Sequence, residues 1–181
     1  MERIGFVFRL AVCAALFSAV AAFAQHSAAS AAPIPPAILA AKKVFLSNAG
    51  ADSGLFPSPF SGDPSRAYVQ FYAALKAAGQ FELVEDPSEA DLVLELQLIA
   101  PNGPSNGAKA NGASDPLPMF RLVIYDRKTH YVLWAFTQSI DVAFLQKTHD
   151  RNFDDALNAI VLEFEALSGK ATTSPAAQAA P

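Results

Sequence analysis

The chain has 181 residues, of which 52% are hydrophobic and 17% are charged, and its formal net charge at pH 7 is −4. A chain of this length can bury the core of one domain. The negative charge argues against nucleic-acid binding, which normally needs a basic surface. The 14 Phe and 4 Tyr exclude disorder of the whole chain, and the single Cys excludes a disulfide scaffold.

Residues 1–24 have the pattern of a secretory signal peptide. Arg3 and Arg9 give a positive start, and an apolar run follows over residues 10–23. The run ends in Ala22-Phe23-Ala24, a small-x-small cleavage site. We therefore expect cleavage between Ala24 and Gln25 and a periplasmic or secreted mature protein.

Two alternatives to cleavage are a membrane anchor and a lipid anchor. The apolar run is about 14 residues long, shorter than the roughly 20 residues that span a bilayer. Lipidation would need Cys13, which follows the bulky Val12 and lies inside the apolar run. Cleavage is therefore favoured, and it would remove the only Cys from the mature chain.

The remaining chain divides by composition into four parts. Residues 25–41 are rich in Ala, Ser and Pro and predict a linker, and residues 170–181 predict a disordered tail. Between them, residues 42–169 predict one α+β domain. Within it, residues 101–118 contain mostly Pro, Gly, Asn and Ser and predict a long loop, which is either functional or a mobile insertion.

The first part of the domain predicts a strand followed by a helix. Lys43–Ser47 is a short apolar strand. Apolar side chains then recur at the spacing of a helix face, with Asp63 and Pro64 at its start and Gly79 at its left-handed end. These are Tyr68, Phe71, Tyr72 and Leu75.

Four more strands and a final helix complete the pattern. The strands are Phe81–Glu85, Leu92–Ile99, Phe120–Tyr125 and Tyr131–Val142, the last two forming a hairpin around the turn at residues 126–129. Val132, Trp134 and Phe136 are expected on the core face. Apolar residues from Phe153 to Leu167 predict the helix, with Asn152 as its cap and Gly169 after its end.

The fold class predicted is α+β. It is a single mixed sheet of about five strands in the order β-α-β-β-β-β-α, with two amphipathic helices packed on one face.

The chemistry-bearing residues form no known constellation. The sequence has no phosphate-binding Gly-rich loop, no Gly-x-Ser-x-Gly elbow, and no spacing among His26, His130 and His149 that suits a metal. Its carboxylates cluster at turns, where they keep loops hydrated. We therefore expect no catalytic residue, no cofactor, no metal and no enzymatic activity.

One loop is a candidate for partner binding. Residues 47–54 are polar, contain Gly, and follow the first strand, where α/β sheets usually hold ligands. Apolar residues come next and are expected to be partly exposed, although they could instead fold onto the core. The candidate contact residues are Ser47, Asn48, Gly50, Asp52, Phe56 and Phe60.

Several segments resemble small exported bacterial proteins of unknown function. The residues that carry the resemblance lie at 43–50, 71–84, 90–94 and 132–134. The layout of strand, helix, Gly-x-Phe-x-Leu-Val and Ala-Asp-Leu-Val-Leu is also similar to the TolB amino-terminal domain and to CsgG-type envelope proteins. The resemblance implies an α+β envelope module and no catalytic or binding residue.

The function predicted is a non-enzymatic cell-envelope module that binds a protein or peptide through a sheet edge or an apolar loop surface. The alternative is a small-molecule binding or hydrolytic protein that uses the loop at residues 47–54. Partner identity and oligomeric state are not indicated by the sequence.

Overall fold

The computed structural model describes residues 32–102 and 117–170. The predicted signal peptide, the first part of the predicted linker, most of the predicted long loop and most of the predicted tail lie outside these residues. The elements in chain order are α1 (Pro36–Ala40), β1 (Lys43–Ala51), α2 (Arg66–Ala78), β2 (Glu82–Val84), a 3₁₀ turn (Pro87–Glu89), β3 (Leu92–Ile99), β4 (Met119–Asp126), β5 (Val132–Ser139) and α3 (Gln146–Leu167).

The five strands form one mixed sheet, as the sequence predicted, and their order within it is β2-β1-β3-β4-β5. Strand β1 lies parallel to β2, to which the crossover helix α2 connects it, and it lies parallel to β3 on its other side. Strands β3, β4 and β5 are antiparallel neighbours. The short β2 and the longer β5 are therefore the two edges of the sheet.

The core lies on the face of the sheet that α2 and α3 cover. Strand β3 shows this most clearly, because its four leucines are buried and the residues between them are partly exposed. Helix α2 contributes Phe71 and Leu75, and α3 contributes Phe153, Ile160 and Phe164 to the same cluster. The predicted packing of two amphipathic helices on one face is confirmed.

Phe153 of α3 is the centre of an aromatic group that joins the elements. Its ring centroid lies 4.9 Å from that of Phe120 on β4 and 5.2 Å from that of Phe60. The ring of Phe56 lies 6.3 Å away, and the Arg66 guanidinium stacks on Phe153 at 4.2 Å. Aromatic pairs at these separations stabilise beyond the area that they bury.

The predicted linker is wrong at its carboxyl end. Residues 36–40 form helix α1, in which Ile38 is fully buried, and Ala41 is 2% exposed. At the other terminus, Lys170 Nζ donates to the Ala41 carbonyl oxygen at 2.6 Å and lies 3.8 Å from the Phe81 ring centroid. The folded unit therefore extends from α1 to Lys170, a little beyond the predicted residues 42–169.

The predicted ends of the two long helices are partly corrected. Helix α2 begins at Arg66, preceded by a turn in which Asp63 Oδ1 accepts from the Ser65 N–H, and it ends at Gly79 with φ +64°. Helix α3 begins at Gln146, well before the predicted cap. Asn152 lies inside it and donates its side-chain N–H to the Asp141 carbonyl oxygen at 2.8 Å.

Candidate functional site

The predicted loop at residues 47–54 is mostly strand. Strand β1 continues to Ala51, with Ser47 opposite Glu95 and Ala51 opposite Leu98 on β3. The register shifts between Asn48 and Ala51, which marks a bulge in β1. The prediction of a loop is therefore wrong for residues 47–51, whereas residues 52–54 are an exposed turn.

The polar side chains of this segment hold the bulge and the end of β1 in place. Asn48 Oδ1 accepts from the Gly50 N–H at 2.9 Å, while Gly50 takes φ +77°, a conformation that glycine adopts without strain. The Asp52 N–H donates to Leu98 O at 2.9 Å, and Asp52 Oδ2 accepts from the Ala100 N–H at 2.8 Å. Asn48 and Asp52 therefore have structural partners that account for them.

The two aromatic residues predicted beside this segment pack inward. Phe60 is fully buried, and Phe56 is half-buried with its ring near Phe60 and Phe153. Leu55, in the same connection, is also buried, at 3% exposure. The six predicted contact residues are thus divided between the end of β1 and the aromatic core, and Phe60 offers no surface to a partner.

A polar cluster joins α2 to α3 and to the connection before α2. Arg66 donates from Nη1 to Asp150 at 2.6 Å and from Nη2 to Asp154 at 2.8 Å. Asp150 Oδ1 also accepts from the N–H and hydroxyl of Ser61, at 3.0 and 2.9 Å. Burial acts to raise the pKa of Asp150, but the hydrogen bonds from Arg66 and Ser61 outweigh it and hold that pKa well below its ordinary value. Every group here has a partner, so the cluster ties the helices together.

Metal binding has no support in residues 32–102 and 117–170. No group of three or more His, Asp and Glu side chains there is arranged to hold an ion. In the same ranges, no helix is both long and apolar enough to cross a membrane.

Strand β5 is an edge of the sheet whose outer backbone groups pair with no other strand among residues 32–102 and 117–170. It is an edge strand of eight residues, and no residue from Tyr131 to Ile140 carries a formal charge. Proteins normally protect a long edge strand with charged side chains, Pro or a covering element. Exposed apolar side chains instead lie at its two ends, with Tyr131 75% exposed just before it, Val132 55% exposed at its first position and Phe144 103% exposed after it.

One hydrogen bond establishes which backbone groups of β5 face outward. The Ile140 N–H donates to the Pro118 carbonyl oxygen at 2.8 Å, and so points toward β4. Because backbone groups alternate in direction along a strand, those of Gln138 and Phe136 also point toward β4. The N–H and C=O groups of Ala135, Thr137 and Ser139 therefore point away from the sheet.

The side chains of Ala135, Thr137 and Ser139 are exposed as well. In the described part of the chain, one side chain reaches their outward groups, since Gln138 Nε2 donates to the Ser139 carbonyl oxygen at 3.3 Å. These three residues define what we call the β5 edge. The sequence signal for it is the uncharged run from Tyr131 to Ile140, which distinguishes this strand from the others.

A bulge also corrects the predicted core face of β5. Ile124 lies opposite Trp134, but the register then shifts and Tyr125 lies opposite Val132. Trp134 and Phe136 pack on the core as predicted, with Trp134 half-buried. Val132 is on the other face and exposed, because the extra residue reverses the alternation.

Of the comparisons with known proteins, the one with solved structures finds proteins similar to this chain. No family model matches the chain, and no curated protein matches it. Similar structures include a Xanthomonas campestris protein of the family DUF330, which is 14% identical with a TM-score of 0.42 and covers 72% of this chain and 86% of that one. Another is the PelC dodecamer of Paraburkholderia phytofirmans, 12% identical with a TM-score of 0.37 over 70% and 87% of the two chains.

A third is the hypothetical protein CT253 of Chlamydia trachomatis, 10% identical with a TM-score of 0.38 over 69% and 98% of the two chains. All three are bacterial proteins. None of them gives a link to TolB or to CsgG-type proteins.

Proposed function

We propose that this protein is a non-enzymatic, exported cell-envelope module that binds another polypeptide by strand addition at the β5 edge. The observation that carries the proposal is the outward orientation of the backbone groups of Ala135, Thr137 and Ser139 on an uncharged edge strand. Strand addition uses such a row of donors and acceptors for affinity, and neighbouring side chains for specificity.

The surroundings of the edge supply apolar contact area for an added strand. Tyr131 and Val132 lie at the start of β5, and Val142, Phe144 and Leu145 lie after it, each at least 55% exposed. Burying apolar surface of this kind contributes roughly 25 cal/mol per Å². Exposed aromatic and aliphatic side chains at both ends of an open edge are typical of an interaction surface.

Export is the second part of the proposal, and it rests on residues 1–24. The positive start, the short apolar run and Ala22-Phe23-Ala24 support a cleaved signal peptide. Such a protein would meet its partner in the periplasm or outside the cell.

Site-specific photo-cross-linking in the producing cell tests the proposal. A photoreactive residue at Ala135 reports on the β5 edge, and the same residue at Val69, 57% exposed on α2, is the matched control. We expect a discrete polypeptide adduct at position 135 alone, identified by mass spectrometry. Equal labelling at the two positions, or no polypeptide adduct at position 135, would contradict the proposal.

A further inference from the structure

We infer that the partner strand at the β5 edge is β5 of a second copy of this chain, paired antiparallel about a twofold axis at Thr137. This inference rests on the proposed function, because it specifies which polypeptide occupies that edge. It makes the protein a symmetric dimer in which the two five-stranded sheets join into one.

The positions of the outward groups select this register. In an antiparallel pair, residues whose backbone groups face each other exchange both of their hydrogen bonds. When Thr137 lies opposite Thr137 of the second copy, Ala135 lies opposite Ser139 of the second copy, and Ser139 opposite its Ala135. If the axis lay one residue earlier or later, one residue of the β5 edge in each copy would lie opposite a residue outside that edge. The register at Thr137 thus uses the whole β5 edge of both copies.

The apolar residues around β5 fit the same axis. Val132 lies five positions before Thr137, and Val142 lies five positions after it. A twofold axis at Thr137 places the first residues of β5 in each copy beside the end of β5 in the other. Tyr131 and Val132 of one copy and Val142 and Phe144 of the other therefore lie at the same end of the interface. These are exposed apolar side chains on a single copy. An isologous interface needs this kind of self-complementarity, in which each patch meets the other patch of the second copy.

The charge pattern permits self-pairing. Like charges that lie directly opposite each other destabilise a strand pair, and identical strands make such contacts whenever a charge lies near the axis. The segment from Tyr131 to Ile140 has no Lys, Arg, Asp or Glu. Two copies of β5 can therefore pair without a contact between like charges. Pairing with an unrelated strand would not require β5 to be uncharged.

Substitutions at Thr137 test the pairing in the full-length protein, with the mass in solution measured by light scattering over a range of concentrations. Thr137→Pro removes an outward N–H, and a Pro at such a position of an edge strand leaves the β4 ladder intact. Losing the hydrogen bonds at the axis is expected to weaken self-association by about tenfold or more. Thr137→Val keeps the N–H and is expected to remain dimeric.

A charge pair gives a test that does not depend on Pro. Thr137→Lys and Thr137→Glu each place like charges across the twofold axis, so each variant alone is expected to dissociate. Mixing the two variants places Lys opposite Glu and is expected to restore the dimer. The inference would be overturned if the two variants stayed monomeric after mixing. It would also be overturned if each variant alone remained as dimeric as the wild type.

The outcomes also separate this inference from the proposed function. A monomeric wild-type protein that still forms an adduct with a different polypeptide at position 135 would overturn the inference and support the function. A dimer whose mass is unaffected by Thr137→Pro and by both charged variants would place the interface elsewhere, and would also overturn the inference.

Discussion

Arg66 and Asp150 are 84 residues apart in the chain and are joined by a 2.6 Å ion pair between α2 and α3. The two side chains are 14% and 23% exposed, so water screens this pair less than a surface pair. Ser61 donates to the same carboxylate. The connection before α2, helix α2 and helix α3 are therefore held at one point above Phe153.

The lowered pKa of Asp150 predicts that the stability of the fold depends on pH. Its pKa is lowered in the folded state, so its ionised form stabilises the fold at any pH above its unfolded pKa of about 4. That contribution is lost as the pH falls below about 4 toward the folded pKa. We expect Asp150→Asn to lower the free energy of unfolding by about 1–3 kcal/mol at pH 7 and by progressively less below pH 4.

Urea unfolding of the wild type and of Asp150→Asn at several pH values measures this difference. Asp155→Asn is the matched control, because Asp155 lies on the same helix and its side chain is exposed. A deficit of Asp150→Asn that is as large at pH 3 as at pH 7 would show that the carboxylate charge is not the cause.

Phe60 is expected to be a core residue whose loss affects stability. It is fully buried against Phe153, and replacing a buried Phe by Ala typically costs about 3–5 kcal/mol. Leu162→Ala removes an apolar side chain from a site on α3 that is 60% exposed and away from the β5 edge, and should change the unfolding free energy by less than about 0.5 kcal/mol. Equal melting temperatures for the two variants would contradict the inward packing of Phe60.

The Asn48→Ala, Asp52→Ala double variant distinguishes a structural segment from a binding loop. Each side chain accepts a backbone hydrogen bond, so we expect a loss of about 1 kcal/mol for each. The yield of the adduct at position 135 should stay unchanged. Unchanged stability with a lost adduct would return these residues to the partner-binding role that the sequence suggested.

Export predicts that the mature protein starts at Gln25. Intact-mass analysis of protein recovered from the periplasm or medium measures the amino terminus. Protein that retains Met1, or that carries a diacylglyceryl mass on Cys13, would contradict cleavage between Ala24 and Gln25.

The regular strands and helices were predictable because their apolar residues repeat with a clear period. The four leucines of β3 and the apolar stripe of α3 give the element type and the buried face directly. Helix α1 gave no such signal, since five residues with one buried Ile contain no repeat. Its Pro36 is favourable at the first turn of a helix, although Pro is also typical of a linker.

The two bulges explain the errors at β1 and β5. Asn48 and Gly50 are common turn residues, so they indicated the end of a strand, whereas here they form a bulge within one. In β5, one extra residue moves Val132 away from the face that carries Trp134. A bulge depends on the pairing of two strands that are distant in sequence, and the alternation within one strand does not reveal it.

Amide hydrogen exchange along β5 tests the central claim most directly, because it reports on each outward N–H separately. In the assembled protein, we predict that the amides of Ala135, Thr137 and Ser139 are protected to the same degree as those of Phe136 and Gln138, which point toward β4. In Thr137→Lys, the amides of Ala135 and Ser139 should lose that protection while those of Phe136 and Gln138 keep it. Rapid exchange of the three outward amides in the wild-type protein, with the inward ones protected, would contradict strand addition at the β5 edge.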